Sequence, residues 1–405
     1  MNHADRLTMP LGDAIYSMRA IRRLKPDPIA DADLHAIIEA AIQAPSGWKI
    51  REGTGPSRKL KSSPAGYWSR TLRSPTSDTR YRARMRVERL IDQPIIHPSL
   101  DPSIGGNIQG PSLIRVPDWV DAPLGRYYCY FADHKGSYIR LAYADALTGP
   151  WRIHVPGALQ LAESHFLTEL PSVSDHQRAA IEAQFAAGAF SMSHDPVTEA
   201  TTPHVASPDA HVDHDRRRIR LYYHGLEGLG VQCTRVAESG DGIHFTAQPE
   251  VLGRSYFRVF PWGSMTYALA MPGRLYRSSD GLTGFEEGPL LFNPDMRHAA
   301  LHRDGDTLAV FWTQVGDTPE RIYHSAIDLR GDWHDWTESS PVEVLRPERP
   351  WEGADAPLEP SVRSTAYGHV NQLRDPATYA EDGRLYLLYA VAGESGIAIA
   401  EVVPD

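Results

Sequence analysis

The stretch that decides the fold is LRDPATYAEDGRLYLLYAVAGESGIAIAEV, Leu373–Val402. It reads as an apolar strand opened by Arg374 and Asp375, a Glu-Asp-Gly turn, and a second strand dense in Leu and Tyr. A loop carrying Glu394 and a third strand follow. Reading outward from it, the same order recurs four times upstream. One unit runs GPSLIRVP, RYYCYFADHKG, YIRLAYADALTGPW; the next runs ASPDAHVD, RIRLYYHG, CTRVAESGDGIHF. The third runs SYFRVFPW, MTYALAMPG, LYRSSDGLTGF, and the fourth MRHAALHRDGD, LAVFWTQVGDTPER, IYHSAIDLRGDWHDW.

A unit of roughly 40 to 50 residues with four short strands is the pattern of a propeller blade. The expected fold is mainly β, a five-bladed β-propeller over residues 93–405 with a short α-helical N-terminal appendage. The last unit shows only three strands, so a strand from the other end must complete it and remove the open edge. DQPIIHPS at 92–99 is placed to do so. An insert at about 160–204, containing DHQRAAIEAQFAAGAF, is expected to carry a helix between the first and second blades.

Composition agrees with an all-β body. The 405 residues hold 32 Gly and 32 Pro spread along the chain, with 9% aromatic residues, as many strands joined by tight turns require. The formal net charge of -10 argues against nucleic acid as a partner. No apolar run approaches the ~20 residues that span a bilayer, so a membrane is not expected and a cytoplasmic protein is. Cys129 and Cys233 stand singly in strand-like runs and read as reduced packing residues.

The first 48 residues carry helical periodicity around Ala14, Ile15, Met18 and Ile21 and again over Leu34, Ile37, Ile38, Ala41 and Ile42. Residues 49–92 hold twelve basic and four acidic residues with few large apolar ones. Such a segment buries too little to offset its ordering entropy, and a disordered linker with a short helix near 80 to 90 is expected.

In a propeller the first strand of each blade lines the axis, and the loops at one end form the usual pocket. On that geometry the first strands offer Asp209, Arg258, Arg297, His298, Arg374 and Asp375. The turns after the second strands offer His134, Lys135, His224, Gln314 and Glu394. Trp119, Trp262 and Trp312 are candidate stacking platforms. Carboxylates and guanidinium groups hold hydroxyl pairs while aromatic faces cover the apolar side of a sugar ring, so a carbohydrate or other polyhydroxylated small molecule is the expected partner. The run HVDHD at 211–215 tempts a metal reading, but it continues into RRR as an exposed hairpin, and no metal is assigned.

The body resembles the five-bladed β-propeller glycosidases of glycoside hydrolase families 43, 32 and 117, on its blade number, its SSDGLTGF-type turns and the Asp-Pro or Pro-Asp pairs opening inner strands. That resemblance implies hydrolysis of a glycosidic bond by two carboxyl groups, one with a raised pKa. Asp209 matches the family's carboxylate at the second blade. Gly110 stands where the first blade would carry one, and the third blade, SYFRVF, has no Glu. The remaining candidates are Asp375, Glu359 in PLEPS, and Glu394, with His134, His224, Arg258, Arg297, His298 and Arg374 as substrate-binding groups. Each has a plainer reading: Asp375 as a turn or ion pair, Asp209 as a strand cap, Glu359 as a surface residue, the histidines as packed neutral rings. A non-catalytic carbohydrate-binding propeller remains the alternative, and no cofactor is expected.

The segment SMRAIRRLKPDPIADADLHAIIEAAIQAPSG resembles the opening of the nitroreductase family. By match to that pattern, Arg19, Arg22 and Ser46 would hold the phosphate of FMN, a second alternative confined to this segment.

Overall fold

The structure, a computed structural model, describes residues 85–184 and 195–404. The helices expected before residue 49, and Arg19, Arg22 and Ser46 with them, lie outside the described residues.

Five antiparallel sheets follow one another along the chain. The first blade comprises β2 (Gln109–Arg115), β3 (Tyr127–Ala132), β4 (Tyr138–Ala144) and β5 (Arg152–Gln160). The second comprises β6 (Val205–Asp213), β7 (Arg218–Gly228) and β8 (Val231–Ser239), with the short β9 (Thr246–Ala247) and β10 (Gly253–Arg254) both pairing with β8. The third is β11 (Arg258–Trp262), β12 (Met265–Ala270), β13 (Arg274–Ser278) and β14 (Glu286–Leu290). The fourth is β15 (Met296–Asp304), β16 (Thr307–Gln314), β17 (Ile322–Asp328) and β18 (Val342–Leu345). The fifth is β19 (Arg374–Glu381), β20 (Arg384–Ala390) and β21 (Ile397–Pro404), completed by β1 (Met85–Arg89).

The ring is closed by a strand from the opposite end of the chain, but not by the one expected. Met85–Arg89 pairs antiparallel with β21 from Met85 opposite Pro404 to Arg89 opposite Ala400. The expected segment at 92–99 instead adds a single bridge, Ile96 to Ile397, beyond the end of β1, and buries Ile95 and Ile96. A short helix near 80 to 90 is likewise replaced, over the described part, by this strand. Alternation explains it: Met85, Val87 and Arg89 are less exposed than Arg86 and Glu88, a period of two. Arg89 can turn inward because the carboxylate of Glu352, fully buried, accepts from its Nε at 2.7 Å and Nη2 at 2.8 Å.

Packing is a cycle of five apolar interfaces. Leu141, Leu221 and Tyr223 join the first blade to the second, Tyr222, Val236 and Phe257 the second to the third, and Leu269, Val310 and Trp333 the third to the fourth. Phe311, Leu387 and Tyr389 join the fourth to the fifth, and Cys129, Phe131 and Leu388 return the fifth to the first. A repeated turn fixes the blade spacing. Asp241 and Asp280 each accept two following backbone N–H groups through Oδ1, and Gly242 and Gly281 adopt positive φ (77° and 71°). The hydroxyls of Tyr130 and Tyr222, one blade back, donate to the carbonyls of those glycines at 2.7 Å.

The insert holds α1 (Asp175–Gln184) and α2 (Pro196–Thr201), the latter capped by Asp195, whose carboxylate accepts from Thr198 N–H. No helix among the described residues is long and apolar enough to cross a membrane.

Candidate active site at the mouth of the channel

Three of the five inner strands open on one device. In β2, β6 and β19 an X-Pro pair sits at a register shift against the partner strand, and X is left-handed: Gly110 (φ 62°), Ser207 (φ 48°) and Asp375 (φ 46°). An extra residue bends the strand and re-aims a side chain, while Pro removes an N–H that the shift would leave unpaired. A Cβ on Gly110 would lie 3.2 Å from Cα of Ser207, so the equivalent positions of adjacent blades meet at the axis. Asp375 is the one of the three with a carboxyl group.

Around Asp375 the mouth is a continuous polar network. Tyr256 donates its hydroxyl to Oδ1 of Asp375 at 2.8 Å, and Arg258 Nη2 donates to the same phenol oxygen at 3.2 Å. The Asp375 N–H donates to Nδ1 of His298 at 3.3 Å, and the His298 ring stacks on Tyr256 with centroids 5.1 Å apart. On the other side, Arg374 Nη1 donates to Oε1 of Glu394 at 2.8 Å, and its Nε lies 3.3 Å from Oε2 of Glu320. Arg297 approaches that same Glu320 oxygen at 3.5 Å. Asn107 ties the far side together: its amide donates to Oε2 of Glu394 at 2.7 Å while its oxygen accepts from His134 N–H at 2.8 Å. The imidazole of His134 is 3.4 Å from Oε1 of Glu394.

Proton affinities in this network split. Asp375 and Glu394 are each 1% exposed and Arg374 and Glu320 are fully buried, so charge here is governed by partners. Burial, and then the nearby charge of Glu394, raise Asp375 to about 6. Burial would also raise Glu394, but His134, Arg374 and the Asn107 hydrogen bond outweigh it and hold that carboxyl well below its ordinary range. Burial pushes His298 and His224 well below the usual imidazole value, and His204 down to about 3, so these rings are neutral.

The insert reaches the same mouth. Glu199 on α2 accepts from Lys135 Nζ at 2.7 Å and from the Ser364 hydroxyl at 2.6 Å, bridging the first blade and the loop before β19. At the rim, Tyr367 is 57% exposed, and Asp133, Glu394 and Glu199 lie near enough to add to the burial that raises its phenol.

The structure therefore brings together Asp375, Glu394, Arg374, Arg297, His298, His134 and Arg258. His224 joins them through Tyr256, its ring 6.4 Å from the phenol. It does not bring Asp209 or Glu359 to them. Asp209 lies beyond Arg258 and lines an axial cavity of about 210 Å³ with Ser112, His211 and Thr378. Its carboxylate accepts from Val259 N–H and from His211, both at 2.8 Å, and lies 3.7 Å from Arg258 Nη1. These partners outweigh burial and keep it ionised below its ordinary range. Glu359 is exposed on the loop after β18.

The expected tryptophan platforms are also elsewhere. Trp312 is buried between the third and fourth blades, Trp262 packs on that same core, and Trp119 packs between the first and second with its ring edge against His214. Within HVDHD, His211 is taken by Asp209 and Asp213 by Arg216 and Arg220. Among the described residues no group of three or more His, Cys, Asp or Glu side chains could hold a metal ion. Glu320, Tyr256, Glu199 and Tyr367 escaped the sequence reading. Tyr256 stands two residues before the inward Arg258, but it precedes β11 with a left-handed backbone (φ 68°), so strand alternation could not have placed it.

Fold and mouth together define a five-bladed β-propeller with a buried carboxylate and arginine network at one end of its axis. No family model matches the chain. It is 34% identical over 323 residues to an uncharacterized protein, R118, of Acanthamoeba polyphaga mimivirus, across 73% of this chain and 83% of that one. The chain belongs to the family of that viral protein. Solved structures of similar fold include a GH43 beta-xylosidase/alpha-arabinofuranosidase from a compost microbial metagenome in complex with xylotriose, with a TM-score of 0.48 at 12% identity over 79% of this chain and 96% of that one. A GH43_1 enzyme from Xanthomonas citri gives 0.47 at 12% identity, over 78% and 90% of the two chains. An alpha-L-arabinanase from Cellvibrio cellulosa complexed with arabinohexaose gives 0.40 at 11%, over 72% and 90%.

Proposed function

We propose that the mouth of the channel hydrolyses a glycosidic bond in a small oligosaccharide or glycoside, with Asp375 as general acid and Glu394 as its ionised counterpart. One observation carries this reading: two buried carboxyl groups, beside and bonded to Arg374, are driven apart in proton affinity, one raised to about 6 and the other held well below its ordinary range, the pattern by which one site separates acid from base. Asp375 gives its proton to the leaving oxygen as the carbon–oxygen bond at the anomeric centre breaks. Water supplies the new hydroxyl, and its released proton goes to Glu394. The negative charge of Glu394 also favours the positive charge that develops on the sugar. Exposed Tyr367 offers a ring face to the sugar, and Lys135, Glu199 and His134 offer hydrogen-bonding groups.

The test is a panel of aryl furanosides and pyranosides assayed with the wild type, Asp375→Asn and Glu394→Gln. Turnover by the wild type with loss in both folded variants supports the proposal. A second reading, a carbohydrate-binding propeller without turnover, is favoured by the depth of the pair, since Glu394 is engaged by Arg374, Asn107 and His134 in the free protein. It is the outcome if sugars raise the melting temperature and no glycoside is cleaved.

A further inference from the structure

The two oxygens of Asp375 are not equivalent. Oδ1 accepts the Tyr256 hydroxyl at 2.8 Å and lies 3.5 Å from His298 Nε2. Oδ2 is buried and has no hydrogen-bond partner among the described residues. A buried carboxyl oxygen without a partner is costly, so it persists only where something else determines the geometry. Tyr256 is what determines it. Its backbone is left-handed (φ 68°), a costly conformation for an aromatic residue, and its ring is held between two neighbours. His298 stacks on one side, and the Arg258 guanidinium carbon lies 4.5 Å from the ring centroid. Arg258 is fixed in turn, its Nη1 donating to Pro208 O at 2.6 Å and its Nε to Ala299 O at 2.9 Å. The phenol is thus clamped from three blades before it meets Asp375.

We propose that Tyr256, clamped by Arg258 and His298, is a positioning residue that occupies Oδ1 of Asp375 and leaves Oδ2 as the oxygen that carries and delivers the proton. This rests on the glycosidase reading for the delivery step, but the clamping of the carboxyl group stands apart from it. The phenol O–H donates to whichever form of Asp375 is present and binds the ionised form more strongly, so it restrains the rise in proton affinity that burial and Glu394 produce. The other charges facing the group are Arg374 on its own strand, Arg297 from the fourth blade and Arg258 from the third; all three favour ionisation, and His298 is neutral.

The experiment follows the Asp375 carboxyl by carbon-13 NMR titration, assigned by its loss in Asp375→Asn. Tyr256→Phe keeps the ring and removes the donor. The Asp375 titration is expected to move up by about one pH unit, the typical worth of one lost hydrogen bond to a carboxylate. A fluorinated tyrosine placed at 256, a stronger donor of nearly the same shape, is expected to move it down, and this keeps the test decisive should the Phe variant fold poorly. A packing role alone would not give opposite shifts. A titration that stays where it is in the fluorinated protein, or moves the same way in both, overturns the proposal. Activity is read separately. With a cleaved aryl glycoside in hand, the alkaline limb of kcat/KM must follow the NMR shift. Opposite NMR shifts in a protein that cleaves none of the panel would leave the clamp established and remove the glycosidase reading instead.

Discussion

Asp375 combines a left-handed backbone, complete burial and a raised proton affinity, and each of these costs free energy. Non-glycine residues in the left-handed region cost on the order of 1–3 kcal/mol and concentrate where side chains must be aimed. Gly110 and Ser207 take the same bend at the same place in neighbouring blades without a carboxyl group, so the bend belongs to the fold and the acid to this blade alone. That much was legible in RDPATYAEDG, where Arg374 and Asp375 open an inner strand. What was not legible is that Asp209, opening the second blade in an equally suggestive SPD, falls on the far side of Arg258. The register shift between Ala206 and Asp209 gives the left-handed position to Ser207 and sends Asp209 one step down the channel. A composition-level reading cannot see such a shift. Accordingly, Asp209→Asn is expected to lower the melting temperature by weakening the hold on Arg258, at a cost of about 1–3 kcal/mol. Its effect on turnover should be far smaller than that of Asp375→Asn, which removes the proposed general acid, a role worth roughly 10²–10⁴-fold. Calorimetry alongside steady-state rates checks both; equal losses of turnover would restore Asp209 to the chemistry.

At the scale of elements, the fifth blade depends on a strand that sequence reading assigned to a basic linker. The twelve basic residues between 49 and 92 concealed the five-residue alternation of MRVER. An arginine counts as polar until its partner is known, and the partner of Arg89, Glu352, is 263 residues away. Glu352 also accepts from the N–H groups of Glu348 and Arg349 and from the Tyr389 hydroxyl, so one buried carboxylate fastens β1, the loop before it in space, and β20. Replacing Arg89 by Met leaves that carboxylate without its counter-charge, which costs about 3–5 kcal/mol for a buried pair. The expected result is a sharply lowered unfolding midpoint in urea and an exposed β21 edge prone to association. A midpoint equal to the wild type would show that β1 is not what holds the ring shut. The four-strand units themselves were readable because each pairs only with its neighbour in sequence; β1 was not because it pairs across the whole chain.

For the whole molecule, the buried histidines set the response to acid. Burial lowers His204 to about 3 and His324 to about 4, against an unfolded value near 6.5. The unfolded chain therefore binds protons that the folded one refuses. Their contribution is full above about pH 6.5 and is lost as pH falls, by about 2 kcal/mol for each ring at pH 5. Asp375 works the other way: with its folded value raised to about 6, folding gains as pH drops through that value, by roughly 1 kcal/mol at pH 5. The net expectation is a melting temperature that falls between pH 7 and pH 5, read by scanning fluorimetry. His204→Gln and His324→Gln should flatten the fall, and a flat wild-type profile would contradict the neutral rings.

The most direct measurement of the central claim is a leaving-group series: kcat/KM for aryl glycosides whose phenols span a wide range of acidity, compared between the wild type and Asp375→Asn. If Asp375 delivers the proton, the variant loses on the order of 10²-fold or more with poor leaving groups and little with the most acidic phenols, which depart without protonation. A loss that is the same across the series would contradict Asp375 as the acid, and a wild type that cleaves none of the series would contradict hydrolysis at this mouth altogether.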